Sequence, residues 1–242
     1  MWYSYTESIQ GSKTPVNQDY LSLLRKGNSL FALLCDGMGG GKHGEVASEM
    51  CVNVLSQFFL SETETQFQTG WLEDKLKLTN NLLYDHTIQN PKYEGMATTL
   101  VTLLIAGERG FIGNVGDSRL YRYREGKLEQ LTEDDSVVWE LYKKNLLTKD
   151  ELVKHPRGYL ITKAIALLRG IGFSVTETGI GQQELFFLCS DGVTDFLTDG
   201  MITEMIEKQN SLSETGKEII ALALEEGSND DISIILLSNY RE

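Results

Sequence analysis

The sequence predicts an α+β protein built of layered sheets, and three observations carry that prediction. Several short runs are apolar throughout and rich in branched residues, as strands buried on both faces are: LFALLC (30–35), TLVTLLIA (99–106), LFFLC (185–189) and ISIILL (232–237). Other stretches repeat their apolar residues at helical spacing, two of them in succession after the first strands. The order is strands, two helices, strands, an insert, strands, two helices and a last strand. That is not the strict strand–helix alternation of a parallel α/β sheet.

Taken in order, Asp19 opens an early strand, DYLSLL. Residues 45–60 follow as a helix whose apolar face combines Val46, Met50, Val54 and Phe58 with Ala47, Cys51, Leu55 and Phe59. A second helix spans 71–88, with Trp71, Leu72, Lys75, Leu76, Leu82 and Leu83 on its packed side. RGFIGNVG and RLYRYREGKLEQL (119–131) read as strands, with REGK as a hairpin turn. Residues 133–165 are charged and helix-like, and stand apart as a surface subdomain. Residues 213–226 form a late helix starting at Ser213, without the favoured acid three positions on. With three prolines and no linker-like or repetitive tract, one domain over 1–242 is expected.

Composition excludes some functions. The formal charge is −13, from 35 acids against 22 bases, which argues against a nucleic-acid surface. No run reaches the roughly 18 apolar residues of a membrane span. The start, MWYSYTES, has no basic and apolar leader pattern, so a cytoplasmic protein with no membrane contact is expected. Cys35, Cys51 and Cys189 form no CxxC and read as reduced, packed thiols.

The stretch CDGMGGGKHG (35–44) invites a phosphate-cradle reading, since Gly39, Gly41 and Gly44 satisfy G-x-G-x-x-G between a strand and a helix. Asp36 opposes it by placing a negative charge beside any pyrophosphate, and the surroundings are not a repeating βαβ unit. The P-loop pattern fails as well, because His43 follows Lys42 where Ser or Thr is needed.

A more specific signal is an echo. LLCDG (33–37) recurs as LCSDG (188–192), each at the end of an apolar strand. Asp117, Asp19 and the Asp230-Asp231 pair sit at similar strand edges, and Asp195 lies four residues after Asp191, on the same face if a helix turn begins at Gly192. Carboxylates crowded together cannot all ionise without cations. Hard oxygen donors select Mg²⁺ or Mn²⁺ over zinc, and the histidines lack zinc-type spacing. Glycines beside Asp36 and Asp191 leave clearance for a metal, its waters or a backbone carbonyl. Such a metal pair lowers the pKa of a bridging water and clamps a displacement at phosphorus.

With these residues in hand, the chain resembles the metal-dependent PPM (type 2C) protein phosphatases in their bacterial form. The resemblance runs in order through NQD (17–19), DGMGG…GEVAS (36–48), ATTL (97–100), VGDSRLYRYREGKLEQLTEDDS (115–136), HPRGYLITKAI (155–165), CSDGVTD (189–195) and NDDISI (229–234). It implies a four-layer αββα sandwich, two packed antiparallel sheets flanked by helix pairs, with 133–165 as a flap. It also implies hydrolysis of phosphoserine and phosphothreonine in proteins by metal-activated water. In that family's pattern Asp36 bridges two Mg²⁺ or Mn²⁺ ions, and the carbonyl of Gly37 binds one of them. Asp191 and Asp230 bind the other, and Asp19 acts through metal-bound waters. A third ion in bacterial members corresponds to Asp117 and Asp195, with Asp191 shared. The family's phosphate-gripping arginine is missing: Thr14 stands there, with Lys13 beside it as the candidate substitute. Met38 replaces the histidine of eukaryotic members, and His155 in the flap is a candidate near the leaving group. The resemblance further implies phosphoprotein substrates of a serine/threonine kinase and a monomer. A catalytically weak regulatory member of the same fold is the alternative, motivated by the missing arginine.

Overall fold

Alternation along the strands builds three hydrophobic layers from two sheets. In a computed structural model, which describes residues 1–38, 43–148, 151, 155, 160–208 and 211–240 (Thr65 by its backbone alone), the elements are as follows. Strands β1 (Tyr3–Ile9), β2 (Asp19–Lys26) and β3 (Ser29–Met38) precede helices α1 (Gly44–Ser61) and α2 (Thr69–Gln89). Strands β4 (Ala97–Thr98), β5 (Leu100–Ala106), β6 (Arg109–Val115), β7 (Arg119–Arg124) and β8 (Lys127–Gln130) lead to helix α3 (Val137–Lys143). Then come β9 (Ser174–Gly179), β10 (Leu185–Cys189), the single turn α4 (Asp191–Thr194), α5 (Asp199–Lys208), α6 (Leu212–Glu225) and β11 (Ile232–Ser238).

One sheet runs β1-β11-β10-β7-β8 and the other β2-β3-β5-β6-β9, with β4 beside β3. Every pairing is antiparallel. Leu30, Ala32 and Leu34 of β3 meet Phe186, Leu188, Ile235 and Leu237 of the facing sheet in the central layer. The alternate residues Phe31, Leu33 and Cys35 turn outward to Cys51, Leu55 and Phe59 of α1 and to Trp71, Leu72 and Leu76 of α2. Likewise Leu185, Phe187, Ile232 and Ile234 turn outward to Ile202 and Ile206 of α5 and Ile219 and Ala223 of α6. Strands buried on both faces therefore read as unbroken apolar runs, because period-2 side chains feed two layers at once. A one-residue slip would exchange the layers and mismatch every volume in them. The expected αββα sandwich and its antiparallel sheets are thus borne out.

Three local expectations need correction. Leu82 is 42% exposed, and α2 packs through Trp71, Leu72, Leu76 and Leu83 instead. The late helix is capped by Ser211, whose hydroxyl accepts from the Glu214 N–H, so an acid does stand three residues after the cap. The turn after β10 begins at Asp191 itself, with Ser190 as its N-cap. The REGK hairpin holds: Glu125 (φ 53°) and Gly126 (φ 75°) both adopt positive φ, as a type I′ turn requires. The three cysteines are free and buried. Among the described residues no helix is long and apolar enough to cross a membrane.

Candidate metal centre

Antiparallel pairing explains how residues far apart in sequence meet. The end of each strand lies beside the start of its neighbour, so Asp36 near the end of β3 stands directly opposite Asp19 at the start of β2. In the other sheet β10 ends beside the start of β11, with Cys189 opposite Ile234. That brings Asp191 next to the Asp230-Asp231 pair. The two sheets pack face to face, so both edges open at the same end of the sandwich. The β6–β7 loop adds Asp117 there, and the turn α4 adds Asp195 at an exposed rim.

The backbone around each aspartate is fixed by neighbouring polar groups. The Asp36 N–H donates to Thr99 Oγ1 at 3.0 Å, while its carbonyl accepts from Thr99 N at 2.8 Å and Thr98 Oγ1 at 2.9 Å. Thr99 Oγ1 lies 2.8 Å from Ser118 Oγ, which ties this strand end to the residue after Asp117. Asp230 and Asp231 part ways. The Asp231 carboxylate turns inward and accepts from Gly11 N at 2.9 Å and Gln18 N at 2.7 Å, joining the last strand to the first segments. Asp230 is the one that faces the cluster, where its charge acts on Asp191.

Of the occupants expected beside the glycines, it is the backbone carbonyl that the structure places there. A Cβ on Gly37 would lie 2.3 Å from the Gly44 carbonyl oxygen and 2.5 Å from that of Gln18. On Gly192 it would lie 2.1 Å from the Asp231 carbonyl oxygen. The clearance is therefore taken up by neighbouring backbone: α1 starts against the end of β3, and the Asp230-Asp231 loop passes against the turn holding Asp191. Gly44 belongs to this close approach of helix and strand. Gly39, Gly41 and the rest of 39–42 lie outside the described residues.

Burial and mutual repulsion raise the carboxyls of Asp19, Asp36, Asp117, Asp191 and Asp195. Burial, followed by the charges of Asp191, Asp19 and Asp117, pushes the Asp36 carboxyl well above its ordinary value near 3.8. Asp36 and Asp191 each act on the other's carboxyl. Burial and then Asp230 raise Asp191; burial and then Asp191 raise Asp117 strongly and Asp195 to about 7. Asp19 is pushed to about 8, chiefly by burial. The hydroxyls of Ser233 and Ser190 near Asp19 favour its anion, but Ser233 Oγ donates to Ser8 and Ser190 Oγ accepts from Ser233 N. Both Asp19 carboxylate oxygens and Asp191 Oδ1 are buried without a hydrogen-bond partner. Unpartnered buried carboxylate oxygens are costly, and an all-oxygen donor set suits a hard divalent cation. The residues thus fit such an ion, although no three acids converge tightly enough among the described residues to form a closed cage unaided.

Lys13 reaches this mouth: its Nζ lies 2.5 Å from Asp230 Oδ2. Thr14 does not face the cluster; its hydroxyl donates to the Val16 carbonyl at 2.7 Å. His155 lies half-buried near Glu151, and its neighbours at 152–154 and 156–159 lie outside the described residues. Sequence reasoning missed the buried pair Arg119–Asp134, 2.7 Å apart, beside Asp117. It also missed the twofold use of the Gln18 carbonyl, which accepts from Gly37 N at 3.0 Å and Ser48 Oγ at 2.6 Å. No spacing signals such long-range bonds.

Comparisons with known proteins bear on the family and the fold. A family model described as protein phosphatase 2C matches residues 10–236. The chain is 31% identical over 216 residues to the serine/threonine phosphatase Stp of Listeria welshimeri, covering 88% of this chain and 85% of that one. It superposes on the serine/threonine phosphatase Stp1 of Staphylococcus aureus with a TM-score of 0.92 at 30% identity, over 98% of this chain and 95% of that one. It also matches the catalytic domain of the phosphatase PstP, solved with two manganese ions, with a TM-score of 0.85 at 28% identity over 98% and 97% of the two chains.

Proposed function

The chain belongs to the protein phosphatase 2C family, and from that premise we infer a metal-dependent serine/threonine protein phosphatase whose centre is the aspartate cluster described above. Its substrates are phosphorylated proteins. The observation that carries the site assignment is the set of buried, unpartnered oxygens on Asp19 and Asp191, facing Asp36 where two sheets open together.

In this reading Asp36, the Gly37 carbonyl, Asp191 and Asp230 would hold two divalent ions, with the unpartnered oxygens of Asp19 beside them as acceptors for their water. Asp117 and Asp195, with Asp191 shared, would hold a third. When bound, such ions lower the pKa of a water and neutralise charge developing on the phosphoryl group. Mn²⁺ and Mg²⁺ both suit the oxygen donors; the manganese in the PstP structure supports Mn²⁺ as the first ion to test. The protein's own residues do the rest. Asp231 holds the Asp230 loop in register, and the Thr98 and Thr99 hydroxyls hold Asp36. Lys13 supplies point charge for the substrate phosphate, and His155, with residues 133–165 as a flap, stands near the leaving group. We further propose a monomer in the cytoplasm that opposes a serine/threonine kinase, a reading supported by the free, buried cysteines and the strongly acidic surface.

The test is hydrolysis of phosphoserine and phosphothreonine peptides with Mn²⁺ and with EDTA. Asp36→Asn and Asp191→Asn should each lose at least about a thousandfold in turnover, the scale of several kcal/mol of charge stabilisation. Full activity in either variant refutes the assignment.

A further inference from the structure

We propose that Lys13 and a divalent cation compete for Asp230, so that Lys13 is a built-in counter-ion that sets how tightly the metal is held. The inference rests on the reading of Asp36, Asp191 and Asp230 as metal ligands.

The argument begins with the backbone. Gly11 N donates to Asp231 Oδ1, and the N–H groups of Ser12 and Lys13 both donate to the Asn229 carbonyl at 2.9 Å. A Cβ on Gly11 would lie 2.3 Å from the Asp230 carbonyl carbon, so only glycine lets residues 11–13 lie this close to 229–231. The Lys13 stem therefore starts from a fixed point at the lip of the cluster. Its ammonium lies 2.5 Å from Asp230 Oδ2, and its charge is felt at Asp191 and Asp36 as well.

Two features make this contact exchangeable. The Lys13 side chain is 59% exposed and Asp230 24% exposed, so the pair can open without unpacking anything. Lysine also binds as a single rotatable charge, whereas arginine would grip both oxygens in a fixed fork. Asp230 Oδ1 already accepts from Asp231 N at 3.0 Å, so an ion would take Oδ2, the oxygen that Lys13 holds, where an ammonium and a dication repel one another. Metal entry therefore releases Lys13 towards solvent, at the mouth where a substrate phosphate arrives.

The experiment titrates Mn²⁺ by calorimetry into wild type, Lys13→Met, Lys13→Arg and Asp36→Asn, with thermal melts of each in EDTA. Lys13→Met keeps the stem and removes the charge. It should bind Mn²⁺ about fivefold more tightly, the upper end of what an exposed ion pair is worth, and melt lower than wild type in EDTA. Lys13→Arg should show no such gain. A purely structural lysine would leave affinity unchanged or weakened, and that result in Lys13→Met overturns the competition. Equal Mn²⁺ binding by wild type and Asp36→Asn overturns the underlying site instead, so the two failures are distinguishable.

Discussion

Replacing Gly192 with alanine tests the architecture of the site without touching any carboxylate. The added Cβ would sit 2.1 Å from the Asp231 carbonyl oxygen, 3.1 Å from its carbon and 3.2 Å from Ile232 Cγ1. The first contact falls about 1.3 Å short of ordinary van der Waals approach. Two backbone segments must separate by roughly that distance, and they are the ones carrying Asp191 and Asp230. Overpacking of this kind costs about 2 kcal/mol, and a chain of this size should then melt about 4–8 °C lower. A displacement near 1 Å at a reacting centre costs on the order of a hundredfold in rate. The assay pairs a thermal melt with kcat/KM on a phosphothreonine peptide across a Mn²⁺ titration. Gly172→Ala is the control, since nothing lies within 4 Å of its added carbon. Wild-type kcat/KM and Mn²⁺ dependence in Gly192→Ala would refute the claim that this glycine sets the spacing of the aspartates.

Other outcomes are open to simple measurement. Carboxyls raised in the folded state contribute stability below their unfolded pKa near 4 and lose it as pH rises through the folded values, about 7 for Asp195 and about 8 for Asp19. In EDTA the melting temperature should therefore fall between about pH 4 and about pH 8, and saturating Mn²⁺ should flatten or reverse that slope; a pH-independent melt in EDTA contradicts the crowding. At the other end of the molecule, Ser211→Ala should cost about 1 kcal/mol through loss of the α6 cap, a fall of about 2–4 °C in Tm with unchanged kcat. Ser213→Ala should stay within about 0.5 kcal/mol of wild type.

Much of the architecture could be read from local pattern. The runs 99–106, 185–189 and 232–237 are β5, β10 and β11 to within a residue, and 30–35 lies within the longer β3, because two-sided burial leaves no polar interruption. β1 escaped that reading: only alternate residues of YSYTESI are even half-buried, and its strand character comes from pairing with β11. The Ser213 start failed for another reason, since Ser211 and Ser213 look alike in sequence and only the backbone turn decides which hydroxyl meets a free N–H.

The sequence by itself determined the layered α+β class, the family resemblance and which aspartates stand at strand ends, because periodicity and residue chemistry are local properties. The resemblance already favoured Asp230 over Asp231; tertiary structure alone decided that Asp231 turns to Gly11 and Gln18, which backbone fills the clearance beside Gly37 and Gly192, and that Lys13 reaches Asp230. Each of these depends on segments up to 220 residues apart meeting across two packed sheets. Such contacts leave no periodic trace in the chain, and only the closing of the sandwich brings them together.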